Sequence, residues 1–134
     1  MRLGPYEGLS AEEFERYLSG VDGHLESREG YVLYTCACAV KSKDVLEIGA
    51  LQGRSSVSLA LSGKHVYSID LWDGKNYRIV GPELRADENI HRKNMLDRDL
   101  HNFMQVKGSS EYAAEMFKGM GLDLVLDRDW ETIL

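Results

Sequence analysis

Residues 45–56 read VLEIGALQGRSS. Val45, Leu46 and Ile48 make the short, nearly continuous apolar run of a strand buried on both faces, which is what a parallel sheet requires. Glu47 places an acid at the end of that run. Gly49 and Gly53 then allow a sharp turn and a close backbone approach, and Ser55 and Ser56 stand where a helix would start. The unpaired N–H groups of such a start attract an anion.

Working outward, DVLEIG (44–49) is expected as a strand, SSVSLALSG (55–63) as a helix ending at Gly63, and HVYSID (65–70) as the next buried strand. DENIHRKNMLDRDLH reads as an amphipathic helix with Leu96, Leu100 and Phe103 in register. It leads to the strand FMQVKG, the helix SSEYAAEMFKGMG with Ser109 or Ser110 as cap, and a fourth strand LDLVLD. Ahead of the first strand, LSAEEFERYLSG opens at Ser10 as N-cap and closes at Gly20. HLESREGYVLYTCACAV forms a second helix with Leu33, Ala37 and Val40 on one face. Strands alternating with helices predict an α/β, Rossmann-like three-layer sandwich with a mainly parallel sheet of about four strands. The stretch 74–87, GKNYRIVGPELRAD, lacks periodicity and is expected to be an irregular lid or binding loop.

The chain has 134 residues, 43% hydrophobic and 28% charged, which predicts one soluble domain, with helices over 1–43 and the Rossmann-like core over 44–134. No apolar run approaches the ~20 residues of a membrane span. MRLGPYEGLS has no charged segment followed by a hydrophobic one, so the cytoplasm is expected and no membrane partner. A net charge of -6 argues against nucleic acid as a partner, because phosphate binding needs clustered Lys and Arg. His91, Arg92 and Lys93 are diluted by neighbouring acids and read as a solvated helix face. Cys36 and Cys38 diverge around a helix and are expected as small buried apolar residues, with no shared metal or disulfide. His24, His65, His91 and His101 are scattered over different elements and read as surface or satisfied positions.

In an open parallel sheet, ligands bind beyond the carboxyl ends of the strands, where the strand order reverses. Asp70 ends the second strand about twenty residues after the glycine turn, where an acid can hydrogen-bond ribose hydroxyls. A nicotinamide cofactor would use a second glycine where Leu51 stands, which disfavours an oxidoreductase. S-adenosylmethionine, with only a carboxylate for an anion, suits the site better, and Glu47 would add favourable charge near its ammonium and sulfonium.

VLEIGALQGRSS resembles motif I of the class I S-adenosylmethionine-dependent O-methyltransferases, especially the small-molecule branch of catechol and caffeoyl-CoA methyltransferases. The resemblance continues through Asp70 in YSIDLWDG, the VKGSS turn and LDLVLDRDW, and covers residues 28–130 in order. It implies that Gly49, Ala50 and Gly53 leave room for the amino-acid end of the cofactor, with Glu47 and Ser55 near its ammonium and carboxylate. It further implies that Asp70 holds the ribose, that Leu71 and Trp72 pack near the adenine, and that Ser109, Ser110 and Glu111 edge the base. Asp127 would face the sulfonium side as the catalytic candidate. In the metal-dependent branch that position binds magnesium, and Asp129 alternates with Asp127 as a second carboxylate, the oxygen chemistry a hard cation prefers.

The implied activity is methyl transfer to a small-molecule acceptor, a hydroxyl compound, by in-line displacement. The family fold has seven strands, so a chain reaching only the fourth is expected to be incomplete, with an exposed edge that favours a homo-oligomer, a dimer. The alternative is a non-catalytic, truncated module that binds S-adenosylmethionine or acts as an interaction subunit. The acceptor is not legible, since fold does not fix substrate.

Overall fold

The run that opens the sequence reading forms a strand in the computed structural model, which describes residues 6–74, 76–77 and 84–127. In chain order the elements are α1 (Ala11–Leu18), α2 (Ser27–Ala39), β1 (Asp44–Ile48), α3 (Arg54–Ala60), β2 (His65–Asp70), β3 (Asn76–Tyr77), β4 (Leu84–Arg85), α4 (Glu88–Leu96), β5 (Phe103–Lys107), α5 (Ser110–Met116) and β6 (Val125–Asp127). β5, β2, β1 and β6 lie side by side in that order, all parallel. The chain runs outward from β1 through β2 to β5 and returns to the other side of β1 with β6. The order therefore reverses between β1 and β6, and the glycine turn leaves β1 at that point.

Register decides which side chains meet. Val45 pairs with Val66 and Glu47 with Ser68, while Val66 pairs with Phe103 and Ser68 with Gln105. Because side chains alternate along a strand, Glu47, Ser68 and Gln105 form one row on the same face. That face packs under α3, α2 and α1 in a core of Phe14, Leu18, Val45, Val57, Leu59, Val66 and Met95, each fully buried. A fully buried aliphatic side chain contributes about 1.5–3 kcal/mol relative to leaving it in water, so this face carries most of the apolar stabilisation. The opposite face carries Leu46, Ile48, Ile69 and Val106 against Ala113 and Phe117, at and just beyond α5, which makes the third layer.

The N-terminal helices are fixed by local chemistry. Ser10 caps α1: its hydroxyl accepts from the Glu13 amide at 3.2 Å, and the Glu13 carboxylate accepts from the Ser10 amide at 3.0 Å. Such a box stabilises a helix start by ~1 kcal/mol. In α2 the buried face is Gly30, Tyr34 and Ala37, with Leu33 and Val40 packed only at its margin. Gly30 sets this rotation. A Cβ there would sit 2.9 Å from Ser58 Oγ and 3.2 Å from Phe14, so its absence lets the helices close up.

Three expectations need correction. Cys36 and Cys38 are exposed, because the side of α2 that meets the core is the one bearing Tyr34 and Ala37. In α4 the buried residues are His91 and Met95, whereas Leu96 is 45% exposed. Leu100 is buried, but beyond the helix end, after the chain turns at Asp99 with φ 56°. The stretch 74–87 is not wholly irregular either: Asn76 pairs with Arg85 and Tyr77 with Leu84 in a short antiparallel hairpin. Strands of two residues are too short to leave an alternation in the sequence. Residues 75 and 78–83 of that stretch lie outside the described residues.

Candidate functional site

The β1–α3 turn is held from several directions. Gly49 (φ 88°) and Gly53 (φ 104°) adopt the left-handed conformation that favours glycine, and Leu51 (φ 49°) adopts it without being one. A side chain in that region costs about 1–2 kcal/mol, and the neighbours hold it there. Asp70 Oδ2 accepts from the Leu51 amide at 2.8 Å, and the Trp72 indole donates to the Leu51 carbonyl at 2.8 Å. Asn94 donates to the Gln52 carbonyl at 2.7 Å, and the Gln52 amide group donates to the Arg85 carbonyl at 2.9 Å.

Glu47 lies fully buried beneath this turn. Ser55 Oγ donates to Oε1 of its carboxylate and Ser56 Oγ to Oε2, and Ser68 Oγ donates to Oε2 at 3.1 Å. Burial pushes the Glu47 carboxyl above its usual range, the three serine hydroxyls draw it back, and the charge of Asp70 pushes it further up. His91 extends the cluster: its Nε2 lies 2.8 Å from Ser56 Oγ and its Nδ1 2.9 Å from Gln105 Nε2. The imidazole is fully buried between Trp72 and Phe103, and burial lowers its pKa to about 3, so the ring is neutral. An amide N–H of Gln105 can only donate, so Nδ1 accepts and Nε2 carries the hydrogen.

Above the turn is a small, half-open cleft, lined by Gly49, Ala50, Leu51, Gln52, Arg54 and Ser55 on one side and by residues 22–25 on the other. Arg54 fastens that second wall to α3, donating to the carbonyls of Leu25 and, at 2.8 Å, of Val21. Asp22 and His24 thus stand across the cleft from Ser55. Neither they nor Arg54 and His91 carry a sequence signal for this site, since their proximity arises from the packing of α1 and α2 on α3.

The structure brings most of the expected residues to the carboxyl edge of the sheet. Asp70, 7% exposed, spends Oδ1 on the Trp72 amide (2.9 Å) as well as Oδ2 on Leu51. The space left by Gly53 belongs to His91, whose Cδ2 would lie 3.3 Å from a Cβ there. Trp72 is 5% exposed and packs inward with Ala50 and Ala86, while Leu71 is 43% exposed and offers the apolar surface. Ser109 caps α5, accepting from the Tyr112 amide at 3.1 Å, with half-buried Ser110 and exposed Glu111 in its first turn. Gly108, just before them, donates to the Asp70 carbonyl at 2.9 Å and so ties this corner to β2. Asp127 is the last residue of β6, in register with Ile48, and Asp129 lies outside the described residues. Among the described residues no three His, Cys, Asp or Glu gather as a metal site. Among them, too, no helix is long and apolar enough to cross a membrane.

The donor set fits an S-adenosyl amino acid. Ser55, Asp22 and Arg54 line the space where a zwitterionic end would sit, the Arg54 guanidinium being held by the carbonyls of Val21 and Leu25, and the backbone of Gly49 borders it without a side chain.

No family model matches the chain, and a comparison with curated proteins finds no match either. Solved structures do match. The cofactor-bound protein Rv0187 from MTB superposes with a TM-score of 0.63 at 20% identity, over 87% of this chain and 50% of its own. The O-methyltransferase TomG from Streptomyces achromogenes, involved in tomaymycin synthesis and solved in complex with SAM, gives 0.62 at 19%, over 87% and 50%. An O-methyltransferase from Bacillus cereus in complex with SAH gives 0.59 at 17%, over 87% and 52%. The chain spans about half the length of these proteins, and over that half it has their fold.

Proposed function

We propose that the chain binds S-adenosylmethionine in the cleft above the β1–α3 turn and serves methyl transfer to a small-molecule hydroxyl. The observation that carries this reading is the position of the turn. It leaves β1 where the strand order reverses, with the Glu47 carboxylate one hydroxyl away from the cleft through Ser55. Bound there, the sulfonium cofactor would supply an electrophilic methyl group. The residues of this chain would hold the amino-acid end between Ser55 and the 22–25 wall, direct the ribose to the Asp70 corner and lay the adenine against Leu71, near Ser109, Ser110 and Glu111. Solved neighbours of the same fold that carry SAM or SAH support the choice of ligand.

Calorimetric titration with S-adenosylmethionine and S-adenosylhomocysteine, with NAD as control, tests it. Saturable binding of the first two is the expected result, and a folded sample that binds neither overturns the proposal.

A second reading, binding without transfer, draws on the same site. Glu47 is fully buried and Asp70 accepts backbone N–H groups on both oxygens, so neither is placed to take a proton from an acceptor in the cleft. Release of S-adenosylhomocysteine on adding catechol-type hydroxyl compounds separates the two. If a divalent cation enters at Asp127 and Asp129, that release should rise with magnesium and stop with a chelator.

A further inference from the structure

His91 is a buried imidazole outside the cleft lining, packed beside and beneath the β1–α3 turn. Its ring fills the space beside Gly53, meets the edge of Trp72 with centroids 5.3 Å apart, and reaches Ser56. Gln105 fixes the direction of the chain of hydrogen bonds. One hydrogen of its amide nitrogen goes to the Glu88 carbonyl at 2.9 Å and the other to His91 Nδ1, while its carbonyl oxygen accepts from Arg92. Rotating that amide would face its oxygen to a carbonyl and its N–H groups to a guanidinium, so the orientation is set. His91 Nε2–H must then donate to Ser56 Oγ, which gives its own hydrogen to Glu47. Ser68 and Ser55 also donate to Glu47.

The last link reaches the cleft. With its hydrogen turned inward to Glu47, Ser55 can present only lone pairs outward, an acceptor backed by a carboxylate. Such a group takes an ammonium and turns away a second acceptor. Were His91 the other tautomer, Ser56 would donate to Nε2, Glu47 would lose that hydrogen bond, and a protonated Glu47 could donate to Ser55 and free its hydrogen toward the cleft. We propose that His91 is a positioning residue of the cleft: held as the Nε2–H tautomer by Gln105, it orients Ser56 and Glu47 so that Ser55 offers an acceptor to a ligand's amino group. This rests on the S-adenosyl ligand proposed above.

The test compares S-adenosylhomocysteine, which carries the amino-acid end, with 5′-methylthioadenosine, which lacks it, by calorimetry on the wild type, His91→Leu, His91→Gln and Gln105→Leu. Losing a hydrogen bond at a charged group corresponds to a roughly tenfold to hundredfold loss of affinity. His91→Leu should show it for S-adenosylhomocysteine while 5′-methylthioadenosine binding stays within a few-fold. His91→Gln places an N–H near the same point and should restore most of the difference. Gln105→Leu, on the half-exposed edge strand, should show the same selective loss and covers the case in which His91→Leu fails to fold. Equal losses for both ligands, or a His91→Gln variant no better than His91→Leu, overturn the proposal by making His91 a packing residue. Failure of the wild type to bind S-adenosylhomocysteine would instead overturn the ligand assignment on which it rests.

Discussion

Glu47 and His91 are buried on either side of Ser56 with opposite consequences for stability. The Glu47 carboxyl is held above its unfolded value, near 4.5, so its contribution is fully present below that pH and is lost as pH rises through the folded pKa. His91 runs the other way. Its pKa falls from 6.5 unfolded to about 3 folded, so stability is present above 6.5 and drains away as pH falls toward 3. Urea midpoints measured across this range should show Glu47→Gln gaining on the wild type as pH rises and His91→Gln gaining as pH falls. Curves parallel to the wild type would mean that neither group is desolvated in the folded chain. Asp70→Ala should weaken S-adenosylhomocysteine binding by about 1–3 kcal/mol, the cost of losing hydrogen bonds to a charged group. Unchanged affinity in the titration would remove Asp70 from the site. At this scale the sequence was informative about which residues gather and silent about what they do. The spacing of Glu47, Gly49, Gly53 and Asp70 marked the corner, but the serine cage and His91 depend on register between strands and on the docking of α4, which no local pattern encodes.

Among the elements, two arginines do the joining. Arg54 ties the α1–α2 connection to α3 through Val21 and Leu25, and Arg98 reaches back from the end of α4 to the carbonyls of Tyr17 and Ser19 at the end of α1. Both are partly desolvated, which lowers their pKa; Arg98 satisfies carbonyls that the end of α1 leaves unpaired, and Arg54 satisfies carbonyls of the connection itself. Arg54→Ala should therefore cost about 1.5–3 kcal/mol in chemical denaturation and also weaken the cleft, since one wall loses its anchor. Arg98→Ala should match the stability loss and spare the cleft. Gly49→Val forces a β-branched residue to φ 88°, so a destabilisation of about 1–2 kcal/mol with loss of ligand binding is expected, read from melting and titration together. A thiol reagent should modify Cys36 and Cys38 in the folded chain, Cys38 more slowly because partial burial raises its pKa. Helix and strand order was legible because periodicity is local. The rotation of α2 and the end of α4 were not, because Gly30 and the turn at Asp99 act through what they pack against.

Among the described residues β5 and β6 are the outer strands of the sheet. Met104 on β5 and Val125 on β6 are each 51% exposed, and Met116 and Met120 stand out beside α5, 50% and 41% exposed. If the chain pairs with itself as the sequence argues, sedimentation should report about twice 15.1 kDa, and Val125→Lys should shift the mass toward the monomer. A concentration-independent monomer removes that expectation. The parallel architecture was readable from the alternation of buried strands with helices, and the reversal of strand order between β1 and β6 follows from it only once the pairing partners are known. The row formed by Leu126, Glu47, Ser68 and Gln105 across the four strands adds something the apolar pattern could not provide. Val, Leu and Ile on neighbouring strands are nearly interchangeable, so a slipped pairing of β1 with β2 would still bury grease against grease. A slip of one residue would, however, set Ile69 or Tyr67 beside the carboxylate and carry Ser68 to the opposite face, leaving the buried acid with only the two serines of α3 as donors. The acid at the heart of the row thus favours the native register over a slipped one, whether or not a ligand is bound.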